Sequence, residues 1–391
     1  MTFDSTSVNG NWNYPTPMRF GIGRISELAE ACKSLNMKRP LLITDPGLAG
    51  LPMVTDAITA NQTAGLPTGL FSDVQPNPVG QNVENGVAAY RDGGHDGVIA
   101  WGGGSGVDAA KAVALMAGQT RPIWDFEDVG DNWLRVDPDG VAPIVAVPTT
   151  SGTGSEVGRA SVITHEASHT KKVIFHPKML PEIVICDPAL VTGLPPHLTA
   201  FTGMDALVHC FEAYCAPGYH PMAEGIAVEG MRLLKQWLPK AVQDGTDLEA
   251  RSHMMAAAAM GATAFQRGLG AVHSLSHPVG AVFDTHHGLT NAMFMPYVMN
   301  FNRPAIEDRM DRLALFIGLN KGGFSGIMDW VLELRETFGV AHTGHDLGID
   351  ENRLDELSVM AANDPTASGN PIPVGAAEMK VMLEAAMEGR L

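Results

Sequence analysis

The chain has few cysteines, few charged residues and no long apolar run. Its four cysteines form no Cys-x-x-Cys pair, which argues against a disulfide framework and favours a reducing compartment. No apolar stretch reaches the roughly 18–20 residues that span a bilayer. There is no run of lysine or arginine and the net charge is −17, which argues against a nucleic-acid partner. The polar start, MTFDSTSVNGNWNY, lacks the regions of a signal peptide, so we expect a cytoplasmic protein with no membrane partner.

What remains is the composition of a folded protein. Its 391 residues, 45% of them hydrophobic, suffice for two domains at roughly 100–200 residues each. In the first half, short apolar runs alternate with helical patterns, which predicts a parallel α/β sheet. The predicted strands are Pro40–Thr44, Gly97–Trp101, Pro143–Val147 and Ile183–Cys186, and the predicted helices include Ile25–Leu35 and Val107–Met116.

The sequence pattern changes after about Pro188. Strand-like runs give way to helical stretches rich in Ala, Met and Leu, such as Met222–Leu238 and Met254–Phe265. Between the two halves, Thr192–His197 (TGLPPH) has the glycine and prolines of a hinge. We therefore predict an α/β domain over residues 1–191 and an all-helical domain over residues 192–391, with a site in the cleft between them.

A glycine-rich turn follows the second predicted strand. The segment Asp96–Ala114 (DGVIAWGGGSGVDAAKAVA) runs from a strand through several glycines into a helix. Glycines let the backbone approach a ligand, and the helix N-terminus behind them favours an anion such as a pyrophosphate. The match to G-x-G-x-x-A through Gly104, Gly106 and Ala109 is weak by itself, and the strand and helix around it strengthen it. The alternative is a βα turn that binds nothing.

Two further segments suit a dinucleotide. Asp45 follows a predicted strand, where its carboxylate would accept hydrogen bonds from ribose hydroxyls. The same charge would repel a 2′-phosphate, which favours NAD over NADP. A simple turn residue before Pro46 is the alternative. The segment 147–157 (VPTTSGTGSEV) lacks the lysine of a P-loop, which argues against an ATPase. Its hydroxyl groups suit hydrogen bonds to a cofactor, although some of them are expected to cap the next helix.

Acidic and histidine residues are concentrated in the helical half. The candidate metal ligands are Asp205, His209, His273, His277, His286 and His287. The first two lie four residues apart on one predicted helix, and the third and fourth lie four apart on another, so each pair shares a helical face. Imidazole and carboxylate groups suit a divalent first-row metal. The pattern predicts a metal site, but six candidates exceed four positions and the residues alone leave the ligand set open.

These segments together resemble the iron-containing (group III) alcohol dehydrogenase family. The resemblance rests on WGGGSGVDAAK, VPTTSGTGSEV, GMDALVHCFEAY and AVHSLSHPVGAVFDTHHGLTNA, in the family's order and spacing, and runs from FGIGRISEL to NDPTASGNPIPV. It implies a Rossmann-like dinucleotide-binding domain, an all-α metal-binding domain and a homodimer or larger homo-oligomer. It also implies metal-dependent, reversible hydride transfer between a primary alcohol or other hydroxy compound and NAD, with an aldehyde as the oxidised product.

The resemblance also assigns residues. It gives Asp205, His209, His273 and His287 as metal ligands, with His287 chosen over His286 because the family's ligand directly precedes a glycine. His277 corresponds to a histidine that faces the site without ligating, and its position suits a proton relay. The cofactor positions it implies are Asp45, Gly102, Gly103, Gly104, Ser105, Thr149, Thr150, Ser155, Val157, Lys172 and Leu190. Lys172 is chosen over Lys171 because it leads directly into the apolar run VIF.

The expected metal is Fe²⁺, with Zn²⁺ and Mn²⁺ as alternatives. Four protein ligands and a substrate oxygen make at least five-coordination, which is less usual for Zn²⁺. Three other kinds of enzyme are alternatives: an NAD- and metal-dependent lyase resembling dehydroquinate synthase, a polyol dehydrogenase resembling glycerol dehydrogenase, and a metal hydrolase without nucleotide. The Asp/His/His/His pattern disfavours the first two, and the glycine-rich turn disfavours the third.

Overall fold

The structure, a computed structural model, describes residues 10–12, 16–168 and 170–391. The chain divides into two compact units. The first comprises the described residues up to Thr150 together with Gly154–Gly193 and Thr246–Met255. The second comprises Ser151–Thr153, Leu194–Gly245 and Ala256–Leu391. The boundary at residues 191 and 192 remains a proposal.

Strands and helices alternate along most of the first unit. In chain order its main elements are β1 (Gly10–Trp12), β2 (Met18–Phe20), α1 (Leu28–Ser34), β3 (Pro40–Ile43), α2 (Pro46–Ala49), α3 (Pro52–Thr63), β4 (Gly69–Phe71), α4 (Gly80–Asp92), β5 (Gly97–Gly102), α5 (Gly104–Met116), β6 (Ile144–Pro148), β7 (Ala160–His165), β8 (Thr170–Phe175) and β9 (Ile183–Cys186). Seven strands form one sheet in the order β1-β2-β9-β6-β5-β3-β4. Only the β1–β2 pair at its edge is antiparallel, and β7 and β8 form a separate antiparallel pair.

The sheet's register brings three loops to one edge. Ile43 of β3 lies beside Ala100 of β5, and Gly102 at the end of β5 lies beside Pro148 of β6. Because parallel strands end at the same edge, the segments that follow β3, β5 and β6 all begin there. Every residue of these three strands is buried, which explains why they read as unbroken apolar runs rather than alternating ones.

The central strands agree with the sequence prediction, but several details do not. The predicted helix Ile25–Leu35 begins instead as a 3₁₀ turn at Arg24–Glu27, and α1 starts only at Leu28. Gly23, at φ 80°, turns the chain immediately before it, and the backbone N–H of Ile25 donates to Asp187 Oδ2 at 3.0 Å. The helix predicted from Val107 begins three residues earlier, at Gly104.

The second unit is helical throughout its described residues. Its elements, counting a helix that starts in the first unit, are α6 (Pro196–Cys215), α7 (Pro221–Gln243), α8 (Leu248–Ala264), α9 (Ala271–Phe283), α10 (His287–Phe316), α11 (Gly323–Thr337), α12 (Leu354–Ala362) and α13 (Ala376–Glu388). Most of α6 is buried around its whole circumference, as its apolar composition requires, and it packs against α7 and α10. Helix α9 packs against α10 and α12. Among the described helices, none is both long enough and apolar enough to cross a membrane.

Candidate metal and cofactor sites

Three helices of the second unit bring the predicted metal ligands together. Asp205 and His209 lie one turn apart on α6, His273 lies in the first turn of α9, and His287 is the first residue of α10. Asp205, His209 and His273 are at most 4% exposed, so water reaches them little. The side chain of His287 is 24% exposed and forms the more open side of the cluster.

The cluster surrounds one carboxylate oxygen. Oδ1 of Asp205 lies 3.8 Å from Nε2 of His209, 3.9 Å from Nε2 of His273 and 3.5 Å from Nε2 of His287. The ligand atoms of Asp205, His273 and His287 all lie within 4.8 Å of one another, whereas His209 lies outside that closest group and is placed beside it by its 3.8 Å distance to Asp205. Ligands about 2.0–2.2 Å from a shared ion lie roughly 3–4 Å apart, so this donor set fits a divalent cation.

Burial and hydrogen bonding shift the pKa values of two of these imidazoles in opposite directions. Burial lowers the pKa of His209 to about 4, so its ring is neutral near pH 7 and keeps a lone pair for a cation. Burial also acts to lower the pKa of His273, but the hydrogen bond and charge of Glu212 outweigh it and raise that pKa.

Glu212 is a member of this cluster that the sequence prediction missed. Its Oε2 accepts a hydrogen bond from Nδ1 of His273 at 2.6 Å, and its Oε1 accepts one from the backbone of Val272 at 2.8 Å. The side chain of Glu212 is only 5% exposed. A signal was present in the sequence, because Glu212 follows Asp205 by seven residues, or two helical turns, and therefore shares its face.

Asn291 was also missed. It lies one turn after His287 on α10 and is fully buried. Its Nδ2 donates to Oδ1 of Asp205 at 2.8 Å and lies 3.2 Å from Nε2 of His273 and 3.1 Å from Nε2 of His287. Its buried Oδ1 has no hydrogen-bond partner among the described residues. Asn291 therefore presents its amide nitrogen, a hydrogen-bond donor, to three of the predicted ligand residues.

His277 and His286 lie beside the cluster in different ways. Nδ1 of His277 is 2.8 Å from Oδ2 of Asp364, and its ring stacks on His287 with centroids 5.4 Å apart. Burial favours a protonated Asp364, but His277 and the hydrogen bonds of Thr366 outweigh it and lower the pKa of that carboxyl. His286 instead caps α10, where its Nδ1 accepts the N–H of Leu289 at 3.4 Å.

The residue after His287 must be glycine. A Cβ on Gly288 would lie 2.2 Å from the carbonyl oxygen of Phe201 on α6, closer than any real contact. The first turn of α10 therefore lies directly against α6, and this close approach holds His287 beside Asp205.

Six of the predicted cofactor positions lie at the carboxyl edge of the sheet, namely Gly102, Gly103, Gly104, Ser105, Thr149 and Thr150. Gly102 has φ 136° and is followed by Gly103, which caps α5, and by Gly104 and Ser105 in its first turn. The N–H of Thr149 donates to the carbonyl of Gly102 at 2.9 Å, and the Thr150 side chain lies 3.0 Å from where a Cβ of Gly103 would be. These glycines leave room for a ligand's phosphates at a helix N-terminus.

Asp45 lies beside this turn and has a structural task as well. Its Oδ1 caps α2 by accepting the N–H groups of Gly47 at 2.8 Å and Leu48 at 3.1 Å. Its Oδ2 lies 3.7 Å from the position of a Cβ on Gly102. One carboxylate oxygen is thus engaged in the cap, and the other faces the glycine-rich turn.

The remaining cofactor candidates have mixed surroundings. The hydroxyl of Ser155 donates to Asp108 of α5, and Val157 is buried in the same short 3₁₀ turn. Lys172 lies on β8 and forms an ion pair with Glu127. Leu190 packs against the core cluster that contains Trp101 and Ile185. Ser155 is therefore hydrogen-bonded to the helix that follows the glycine-rich turn, whereas Lys172 and Leu190 contact other parts of the first unit.

A buried lysine that the sequence prediction missed connects α5 to this second loop. Lys111 is fully buried, and its Nζ donates to the carbonyls of Ser155 at 2.9 Å and of Ala160 and lies 3.4 Å from Asp108 Oδ1. Oδ2 of Asp108 accepts the N–H of Val162 at 2.9 Å. Burial raises the pKa of the adjacent Glu156 to about 7. The sequence signal for this buried contact was the presence of two charged residues, Asp108 and Lys111, in an otherwise apolar helix.

Known proteins resemble the chain over nearly its whole length. The family model for iron-containing alcohol dehydrogenase matches residues 15–188, and the model for the C-terminal part of that family matches residues 199–387. A 4-hydroxybutyrate dehydrogenase from Cupriavidus necator is 38% identical, covering 96% of this chain and 99% of that protein. An NAD-dependent methanol dehydrogenase from Bacillus methanolicus is 34% identical, covering 92% and 95%.

Solved structures give the same result. The crystal structure of a 1,3-propanediol oxidoreductase superposes with a TM-score of 0.89 at 32% identity, and the match covers 99% of this chain and 100% of that one. A sulfoacetaldehyde reductase from Bifidobacterium kashiwanohense, solved in complex with NAD⁺, superposes with a TM-score of 0.86 at 27% identity, covering 99% of each chain. The chain therefore belongs to the iron-containing alcohol dehydrogenase family and is a metal-dependent oxidoreductase that uses NAD to interconvert alcohols and aldehydes.

Proposed function

We propose that the chain is an Fe²⁺-dependent, NAD-preferring dehydrogenase of short primary alcohols, among them diols and hydroxy acids. We further propose Asp205, His209, His273 and His287 as the metal ligands. The observation that supports this most strongly is the placement of three imidazole Nε2 atoms within 3.5–3.9 Å of one carboxylate oxygen. The substrate class is drawn from the named relatives, which act on 4-hydroxybutyrate, methanol and 1,3-propanediol.

The residues of the cluster support this chemistry through charge and burial. When bound, the divalent cation would act as a Lewis acid on the substrate oxygen while NAD takes the hydride. A divalent ion bound by one carboxylate and three neutral imidazoles would give the site a net charge of +1. That charge favours an anionic alcohol oxygen. The burial of Asp205, His209 and His273 strengthens that attraction because little water screens it. Four ligands and a substrate oxygen also favour Fe²⁺ over Zn²⁺.

His277 has the surroundings of a proton-transfer residue in this proposal. Asp364 holds its Nδ1, which orients the ring and leaves Nε2 to exchange a proton. We expect His277→Ala to lower kcat by about 10²-fold while the protein still binds one metal ion per chain. Elemental analysis and a pH profile of kcat are the two measurements. Loss of the metal along with activity would instead make His277 part of the ligand set.

Asp45 is proposed as the residue that favours NAD. We expect Asp45→Asn to raise the ratio of kcat/KM for NADP to that for NAD by about 10-fold, because the substitution removes the charge that repels a 2′-phosphate. Asparagine is also a good helix cap, so α2 keeps its N-terminal hydrogen bond. Steady-state kinetics with both cofactors measure the ratio. An unchanged ratio in both Asp45→Asn and Asp45→Gly would show that Asp45 does not read the ribose.

The proposed substrate class is tested by a substrate panel. Protein loaded anaerobically with Fe²⁺, and separately with Zn²⁺ or Mn²⁺, is incubated with NAD and methanol, ethanol, 1,3-propanediol, 4-hydroxybutyrate or glycerol. NADH formation with short primary alcohols, highest with Fe²⁺, supports the proposal. Activity only with glycerol and Zn²⁺ would favour the polyol dehydrogenase, and no NADH with any pair would contradict the proposed substrate class.

Two further properties belong to the proposal. A homodimer or larger homo-oligomer follows from the family resemblance, and light scattering of the purified protein would measure it. The four cysteines are free and buried, which supports a reducing, cytoplasmic location.

A further inference from the structure

We propose that Glu212 is a positioning residue that fixes His273 in a single tautomer, with Nδ1 protonated and Nε2 directed at Asp205. This inference rests on the proposed metal site and goes beyond it, because Glu212 touches no proposed ligand atom. It acts through the opposite side of the His273 ring.

The contacts of Glu212 leave its carboxylate little freedom. Oε2 lies 2.6 Å from Nδ1 of His273, and Oε1 accepts the backbone N–H of Val272 at 2.8 Å. The two donors are consecutive residues in the first turn of α9. Glu212 therefore holds both the backbone at the start of α9 and the ring that projects from it. Its side chain is 5% exposed, so water competes little for either oxygen.

The tautomer follows from the chemistry of the two groups. An ionised carboxylate only accepts hydrogen bonds, whereas a neutral imidazole has one N–H donor and one acceptor nitrogen. The nitrogen that faces Glu212 must then carry the proton, which leaves the lone pair on Nε2. That atom lies 3.9 Å from Oδ1 of Asp205, on the side of the ring where the other two imidazoles converge. A carboxylate in this place orients a histidine ligand and makes it more basic.

Both acidic residues that contact the His273 ring lie on helix α6. Asp205 and Glu212 are separated by two helical turns and lie on the same face of α6. His273, in the first turn of α9, reaches both residues, because its Nε2 lies 3.9 Å from Oδ1 of Asp205 and its Nδ1 lies 2.6 Å from Oε2 of Glu212. One rigid helix thus presents a proposed ligand and a positioning residue to the same imidazole.

The protein offers a matched control on the same helix. His277, one turn after His273 on α9, also gives its Nδ1 to a buried carboxylate, that of Asp364, at 2.8 Å. We place His277 outside the ligand set. Removing the charge of Asp364 should therefore leave metal affinity unchanged, although the chemical change equals that in Glu212→Gln.

The test measures the affinity of the full-length protein for Zn²⁺ and Co²⁺ by competition with a chelator. We expect Glu212→Gln to weaken both by about 10- to 100-fold and to change the visible spectrum of the Co²⁺ form. Asp364→Asn should stay within about threefold of the wild type. Equal affinities for Glu212→Gln and the wild type would overturn the inference, and so would equal losses in both variants. If the wild type binds neither metal, the proposed metal site itself fails.

A second measurement reads the tautomer in the wild-type protein and does not depend on the folding of Glu212→Gln. Nitrogen-15 spectra of histidine-labelled, metal-free wild-type protein at alkaline pH report the tautomer of each ring. Loss of a signal in His273→Gln identifies the His273 resonances. A protonated Nδ1 and an unprotonated Nε2 at His273 support the inference. The reverse tautomer would overturn it even if Glu212→Gln does not fold.

Discussion

Replacing His273 by alanine is expected to remove the bound metal and the dehydrogenase activity together. His273 supplies one of three imidazole nitrogens around Asp205, and its ring is also the partner of Glu212. Its loss leaves two histidines and one carboxylate, and it leaves a buried acid at Glu212 without its main donor. Because Lewis-acid stabilisation contributes several kcal/mol to such reactions, we expect kcat/KM to fall by about 10³-fold.

His286→Ala is the control for that substitution. His286 is adjacent to His287 but caps α10 and packs on Phe201, with ring centroids 5.4 Å apart. We expect this variant to keep one metal ion per chain and to lose only about 1 kcal/mol of stability from the weakened cap. Elemental analysis and activity are measured on both variants. Full metal content in His273→Ala, or loss of metal in His286→Ala alone, would contradict the ligand assignment.

Lys111→Met should cause the largest loss of stability in the first unit. The Nζ group of Lys111 is fully buried between α5 and the loop that follows β6, and its substitution removes a donor to the carbonyls of Ser155 and Ala160 and the ion-pair partner of Asp108. Breaking a buried ion pair on one side costs about 3–5 kcal/mol. For a unit of this size we expect the unfolding midpoint to fall by about 10 °C.

The same substitution should weaken NAD binding, because Lys111 and Asp108 together fix the loop that carries Ser155 and Val157. We expect the Kd for NAD to rise by about 10-fold, a change of about 1.4 kcal/mol. Lys178→Met is the control, since that lysine is half exposed and reaches Asp139 only at 3.9 Å. Thermal unfolding and NAD titration are measured on both. Equal, small effects in the two variants would show that Lys111 has no special role.

The sequence predicts the centre of the sheet well for a physical reason. Strands β3, β5, β6 and β9 are buried on both faces, so each is an apolar run ended by glycine, proline, aspartate or threonine. Strands β1, β2 and β4 have only three residues each, too few to show a periodicity. Strand β8 (TKKVIF) contains two lysines and is only partly buried, so its pattern resembles a loop.

The sequence predicts one part of the candidate metal site and not the rest. Residue spacing alone placed Asp205 with His209 and His273 with His277 on shared faces, because the helical period is fixed. It could not choose between His286 and His287. In the structure that choice depends on the direction in which α10 starts and on the contact of Gly288 with Phe201. Glu212 shares a face of α6 with Asp205, but its contact with His273, like those of Asn291 with Asp205 and of Asp364 with His277, joins separate segments of the chain and is contained in no local pattern.

In the proposed mechanism one divalent cation, held by Asp205 and three histidines, is required for the transfer of hydride to NAD. The most direct test is an anaerobic titration of metal-depleted wild-type protein with Fe²⁺, following NADH production from 1,3-propanediol or 4-hydroxybutyrate. The account predicts that activity rises linearly and stops rising at one Fe²⁺ per chain, and that Asp205→Ala shows no rise. Full activity before any metal is added, or the same titration curve in Asp205→Ala, would contradict it.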